Sequence, residues 1–318
     1  MSVAAEKTHV PEVVTRSPAM QRLALVVERL AQARSAVLIE GESGTGKDLV
    51  ADWLHLAGPR CAAPMVKVHC PSIPGDLLES ELLGHERGAF TDARQAKVGK
   101  LELADGGTVY FDQIQELDRA LQAKLLRVVE ERRFERLGGT RTIEIDVRFV
   151  SSASVDLREA VRRGLFRDDL YHRLGVVPLV VPPLRERPED ILPLAQLFLA
   201  RERARGTTPA RSIDAPAAAA LRGYPWPGNV RELRAAVERA ALYSPGEVLS
   251  LPALPPVLVE QPASLWTARP QPPSLKEVEE AYIRRVLEDV HGNQTQAAAI
   301  LGISRKALWE KRRRYGIP

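Results

Sequence analysis

Ala36-Val37-Leu38-Ile39-Glu40-Gly41-Glu42-Ser43-Gly44-Thr45-Gly46-Lys47-Asp48 decides how this chain is read. Ala36 to Ile39 predict a short buried strand. A glycine-rich turn follows, and then Leu49, Val50, Trp53 and Leu54 recur at helical spacing. Strand, glycine-rich turn, lysine and helix make the phosphate-cradling pattern G-x-x-x-x-G-K. Gly41, Gly44 and Gly46 let the backbone turn its N–H groups inward, and the helix N-terminus adds its dipole. Lys47 is placed to reach the outer phosphates. Asp48 stands where a serine or threonine hydroxyl often meets magnesium, and a carboxylate can hold that ion too. The alternative is a glycine-rich turn without a ligand.

The whole chain sets bounds. Its 318 residues suit two or three domains, and a hydrophobic fraction of 45% supports a globular core. No apolar run reaches a membrane span, and Met1 to Lys7 lacks a signal-peptide core, so a cytoplasmic protein with no membrane partner is expected. Cys61 and Cys70 match no metal spacing and read as ordinary reduced side chains. From His291 to Pro318, six cations stand against Glu310 alone, a surplus of +5; the chain total of +4 leaves −1 for everything before. The C-terminus is therefore where nucleic acid is expected.

Residues 1–16 read as a tail. Ser17-Pro18 opens an amphipathic helix with Met20, Leu23, Val26, Val27 and Leu30 on one face. Met65 to His69 predicts a second strand, and Leu77 to Leu83 a helix. Gly84 to Ala93 is punctuated by glycine around Phe90. Gly106-Gly107 then turns into Thr108-Val109-Tyr110-Phe111-Asp112, an apolar strand ending in an acid. That is the form of a Walker B element whose carboxylate meets magnesium; an ordinary edge-strand aspartate is the alternative. Leu121 to Glu131 reads as a helix and Asp146 to Ser151 as a strand, so the fold class is α/β with a mostly parallel sheet.

Helical patterns then run over Ile191 to Arg203, Pro216 to Arg222 and Val230 to Tyr243, an all-helical subdomain. Residues 251–273 hold seven prolines and read as a semi-rigid linker. Leu275, Val278, Tyr282, Val286 and Val290 mark one helix face. Asn293 caps a short helix through Leu301, and Ser304 caps a basic one, Arg305 to Tyr315, stopped by Gly316. Together they make a helix-turn-helix.

Seven stretches carry a resemblance: Gly41–Asp48, Glu79–Ala93, Gly106–Gln113, Phe166–Leu174, Pro182–Arg187, Trp226–Leu233 and the C-terminal helices. From Ser17 onward the chain resembles a sigma-54-dependent transcriptional activator, a bacterial enhancer-binding protein joining an AAA+ ATPase domain to a Fis-type helix-turn-helix. The resemblance implies an ATPase core over 17–187, a helical lid over 188–250, the linker over 251–273 and an all-α DNA-binding domain over 274–318.

It also implies roles. Gly41, Glu42, Ser43, Gly44, Thr45, Gly46, Lys47 and Asp48 hold ATP, with Arg231 sensing its γ-phosphate. Asp48 and Asp112 hold Mg2+. Gly88, Ala89, Phe90, Thr91, Asp92 and Ala93 form the loop that touches the sigma-54 RNA polymerase, with Phe90 at its tip. Arg167 and Arg173 are the fingers that reach a neighbouring subunit's nucleotide, so a homo-hexamer is implied, with a dimer when inactive. Arg305, Lys306, Trp309 and Glu310 face base edges of double-stranded DNA, and Lys311, Arg312, Arg313 and Arg314 face phosphates. Leu308 and Tyr315 face the preceding helix, while Trp309 reads equally as core or contact. A two-fold DNA site is expected if the Leu275–Val290 helix pairs two chains.

Departures fall on the chemistry. The family's Asp-Glu is Asp112-Gln113 here, and a neutral amide is a poor base. Its partner asparagine is His69, which stands open between a replacement base and a structural residue. Its Thr-Asn sensor is Ala153-Ser154, and Asp92 replaces a glycine. About seventeen residues precede the ATPase, so control is expected from a partner protein, from expression level or not at all. Three functions follow: an ATP-driven remodeller of sigma-54 polymerase, an ATP-binding but hydrolysis-impaired regulator acting by occupancy or mixed oligomers, and an unrelated AAA+ remodeller.

Overall fold

A computed structural model describes residues 14–72, 75–91, 93–259, 274–290 and 292–317. The chain forms two compact units that divide after Pro255. The first runs in order through α1 (Pro18–Ala31), β1 (Val37–Glu40), α2 (Lys47–Leu56), β2 (Met65–His69) and α3 (Gly75–Leu83). Then come β3 (Gly84–His85), β4 (Lys97–Val98), α4 (Lys100–Leu103), β5 (Thr108–Asp112), α5 (Arg119–Glu131), β6 (Arg133–Glu135) and β7 (Thr142–Glu144). β8 (Arg148–Ala153), α6 (Leu157–Arg162), α7 (Asp168–Leu174) and β9 (Val177–Val180) complete the α/β layer. A lid follows: α8 (Ile191–Ala204), β10 (Ser212–Ile213), α9 (Ala215–Gly223), α10 (Asn229–Leu242) and β11 (Val248–Leu249).

The central sheet has the order β2-β5-β8-β1-β9, and every neighbouring pair is parallel. Both faces are covered, as parallel sheets require. Phe111, Phe149, Leu38 and the α5 residues Leu121 and Leu125 form one buried cluster. Tyr110, Val37 and Ile39 form the other with α1 and α2. This register sets His69 beside Asp112 at the sheet's carboxyl end, next to the turn after β1.

Two buried ions fix the helices around the sheet. Arg148 on β8 is 4% exposed, and burial lowers its pKa. Its guanidinium donates to Leu30 O (2.6 Å) and Ala31 O (3.0 Å) at the end of α1, and to Leu54 O (3.1 Å) in the last turn of α2. One cation thus satisfies orphan carbonyls of two helices. Asp190, fully buried, accepts from the backbone N–H of Arg16 and Ser17 and from the Thr15 hydroxyl, tying the entry to α1 onto the lid.

Several expectations need correction. The inner face of α1 is Met20, Leu23, Val27 and Ala31, while Val26 is 42% exposed, because the helix turns it off the stripe. Leu77 likewise points out. The strand expected at 146–151 is β8, starting at Arg148, because Asp146 instead pairs with Arg60 at 2.7 Å. The lid is not all-helical: β10 and β11 pair in parallel, too short to leave an alternating pattern. The presumed linker begins with a 3-10 turn over Leu251–Ala253 and α11 (Pro256–Val259); residues 260–273 lie outside the described residues, as do residues 1–13.

In the second unit, α12 (Leu275–Asp289), α13 (Gln294–Ile300) and α14 (Arg305–Tyr315) pack through Ile283, Val286, Leu287, Ala297, Leu308 and Ile317. Tyr282 is 53% exposed, not on the packed face. Asn293 Oδ1 accepts from the N–H of Thr295 and Gln296, Ser304 Oγ from that of Ala307, and Gly316 ends the last helix at φ 61°.

Arg148→Met, which keeps the bulk and removes the donors, is expected to lower stability by about 2–3 kcal/mol, and the exposed change Val26→Ser by under about 0.5 kcal/mol, read from denaturant midpoints.

Candidate nucleotide and DNA sites

The turn after β1 opens a cleft of about 340 Å³ between the sheet's carboxyl end and the lid. Ser43 to Asp48, Asp112, Gln113 and Ser154 line one wall, and Arg187, Arg231 and Arg234 the other. Val14, Met20, Trp53, Leu194 and Phe198 make an apolar end. A larger hollow of about 570 Å³ along β6 carries interleaved charges such as Glu79, Lys124, Glu131 and Arg133, and none of the residues assigned to ATP or magnesium.

The turn has the backbone the glycines predict. Gly44 and Gly46 take φ 79° and 101°, where a side chain is strained. A Cβ at Gly44 would lie 2.4 Å from Gly228 O, whereas one at Gly46 would meet nothing within 4 Å. Glycine at 44 therefore lets the lid approach, and glycine at 46 faces open space. Lys47 folds back, its Nζ donating to Gly41 O (2.7 Å) and Glu42 O (2.9 Å). Burial lowers its pKa, while Asp112 and Asp48 oppose that.

The lid clasps this turn by hydrogen bonds. The N–H of Val230 donates to Gly44 O at 2.9 Å, and Arg231 reaches Ser43 Oγ at 2.9 Å. Asn229, buried at φ 52°, accepts from Leu184 N–H and donates to Ser43 O (3.0 Å) and Glu42 Oε2 (3.1 Å). Arg185 grips Glu42 with both ends of its guanidinium, at 2.6 and 2.7 Å. Those bonds, from Arg185 first and Asn229 second, hold the Glu42 carboxyl down to about 2. Arg187, 4% exposed, donates to Thr45 O at 2.7 Å.

At the sheet's end the acids share one network. His69 Nδ1 lies 2.6 Å from Asp112 Oδ2, and Ser152 Oγ donates to Asp112 Oδ1 at 2.7 Å. Gln113 sits at φ 57° with its N–H on Ser152 Oγ (3.1 Å), and Ser154 Oγ accepts from Gln115 Nε2. Tyr110 donates its hydroxyl to Asp48 Oδ1 at 2.7 Å. His69 thus engages Asp112 through Nδ1.

Other expected residues lie away from the cleft. Arg167 precedes α7 and pairs with Asp169, and Arg173 on α7 pairs with Glu130 on α5. The segment from Gly88 to Ala93 lies between β3 and β4. Phe90 is 41% exposed, its ring edge-on to His85 at 4.9 Å; Gly88, Ala89 and Thr91 share that loop. Ala93 is only 5% exposed and belongs to the loop's root, and Asp92 lies outside the described residues. On α14, Arg305, Lys306, Trp309, Glu310, Arg313 and Arg314 face solvent, and Arg313 stacks over the Trp309 ring at 5.6 Å, so Trp309 is not core. Lys311 and Tyr315 instead bind Glu279 of α12, so Lys311 is already paired.

The model of the sigma-54 interaction domain matches residues 13–180. The chain belongs to the sigma-54 activator family. An AAA+ ATPase lid domain matches residues 185–270, and the Fis-family model of bacterial regulatory proteins matches 274–315. The regulatory protein AtoC of Escherichia coli K12 is 42% identical over 96% of this chain and 68% of its own length. The transcriptional regulatory protein FlbD of Caulobacter vibrioides is 41% identical over 95% of this chain and 70% of its own. The crystal structure of NtrX from Brucella abortus in complex with ATP superposes with a TM-score of 0.73 at 34% identity, covering 96% of this chain and 70% of that one.

Arg185, Arg187 and Asn229 were visible inside quoted motifs, but their grip on the turn was not; no spacing links residues some 140 to 190 positions apart. Because the Glu42 carboxyl is depressed, the clasp's stabilisation is present above its ordinary value of 4.5 and is lost as pH falls through about 2. The melting-temperature gap between wild type and Glu42→Gln should be constant toward neutrality and close across that acid window; a gap indifferent to acid would contradict the clasp.

Proposed function

We propose that this sigma-54 activator binds ATP with magnesium in the cleft, assembles as a ring and uses hydrolysis to drive the Phe90 loop against the sigma-54 RNA polymerase while α14 holds upstream DNA. The observation that supports this best is convergence: the glycine turn, Lys47, Asp48, Asp112 and the lid's Arg231 line one cleft. The open space at Gly46 suits phosphate, and the oxygen donors of Asp48 and Asp112 suit Mg2+. Magnesium held there would neutralise phosphate charge.

This chain's residues have separable tasks. The backbone N–H groups of the turn and the start of α2 bind phosphate. Lys47 exchanges its two carbonyl partners for phosphate oxygens. Arg231 reports occupancy to α10, because it already touches Ser43. In a ring, Arg167 and Arg173 exchange Asp169 and Glu130 for a neighbour's nucleotide.

A second reading is an activator that binds ATP but hydrolyses it poorly, working by occupancy or in mixed oligomers. Gln113 favours it, since a neutral amide stands where the family carries a glutamate base. Phosphate release at saturating ATP, with and without DNA, decides. The first reading expects slow turnover above background that Lys47→Ala abolishes. Gln113→Glu should raise the rate about 10²-fold or more, the range a positioned base contributes. Wild-type turnover at the no-enzyme background would replace the first reading by the second.

A further inference from the structure

Tyr110 lies on β5 two residues before Asp112, so strand alternation puts both side chains on one face. Its ring is 1% exposed, packed in the cluster with α1 and α2. Its hydroxyl donates to Asp48 Oδ1 at 2.7 Å, and Asp112 Oδ1 lies 3.4 Å from it. The two carboxylates assigned to magnesium therefore converge on one phenol, on residues 62 positions apart in sequence.

We propose that Tyr110 is a positioning residue that aims the Asp48 carboxylate at the magnesium of bound ATP, an inference resting on the nucleotide reading above. Asp48 occupies the first turn of α2, and its side chain alone has several rotamers. Among the described residues, Tyr110 is the hydrogen-bond donor to its Oδ1, and Oδ2 has none. One oxygen is pinned by a sheet-rooted hydroxyl, and the other is left for a cation. Asp112 is held on both oxygens, by the Ser152 hydroxyl at Oδ1, which also accepts from the Gln113 N–H, and by His69 Nδ1 at Oδ2. Metal-binding carboxylates are held in this way by outer hydrogen bonds. The phenol also compensates for the repulsion between two acids before the cation arrives. A buried tyrosine hydroxyl needs some partner in any protein; a merely structural tyrosine would not set how much magnesium the site requires.

The test is calorimetric titration of ATP into the full chain across a magnesium series and in EDTA. In Tyr110→Phe, the half-saturating magnesium concentration should rise about 10–100-fold, the usual cost of losing such a partner, while affinity for ATP in EDTA stays that of wild type. Asp48→Ala should show the same rise, and adding Tyr110→Phe to it should change nothing further. A wild-type magnesium requirement in Tyr110→Phe, or equal loss of ATP with and without magnesium, overturns the proposal. If Tyr110→Phe does not fold, Asp48→Ala decides alone: an unchanged magnesium requirement there overturns it. Wild-type protein that binds no ATP in either buffer overturns the nucleotide reading itself, whereas ATP-binding wild type with an indifferent Tyr110→Phe overturns only the role of Tyr110.

Discussion

The carbonyl of Gly44 accepts the N–H of Val230, and the site is organised around that bond. The first turn of any helix has N–H groups without partners. Here two N–H groups in the first turn of α10, of Val230 and Arg231, go to the carbonyl of Gly44 in the phosphate turn. Gly228 and Gly44 approach too closely for any side chain at 44. Asn229, Arg185 and Arg187 add side-chain bonds to the same turn. An anion drawn into the turn therefore acts on a structure already connected to the lid.

The lid is coupled a second time through charge. Asp190, at the start of α8, holds the entry to α1, while Arg187, three residues earlier, holds Thr45. Both are nearly inaccessible; Asp190 is met by the backbone N–H of Arg16 and Ser17 and by the Thr15 hydroxyl, and Arg187 donates to the Thr45 carbonyl. Buried charges so arranged specify geometry, because losing a partner leaves an uncompensated ion. Arg148 plays the same part on the opposite side, where α1 and α2 end together.

Much of this was legible in the sequence. The glycine turn, the strand ending in Asp112 and the caps Asn293, Ser304 and Gly316 are local signals, and local physics produces them. The parallel sheet followed from the alternation of elements. β9 was hidden because Pro178 interrupts its pattern at a sheet edge, where proline is tolerated. Val26 was misplaced because an apolar residue beside the stripe looks like one on it. The bond from Tyr110 to Asp48, and the hold of Asp190 on Thr15, depend on tertiary approach, for which a single sequence has no period. The neighbour of His69 was likewise hidden, since only register puts it opposite Asp112.

The account's central claim is that polyphosphate sits on the inner N–H groups of the turn and is felt through the clasp by the lid. Amide hydrogen exchange of the full chain, with and without ATP–magnesium, tests it most directly. The account predicts slowed exchange in two places at once: Gly41 to Val50, and the first turn of α10 from Asn229 to Leu233. Protection in neither segment at saturating ATP, or protection of the turn with α10 unchanged, would contradict it.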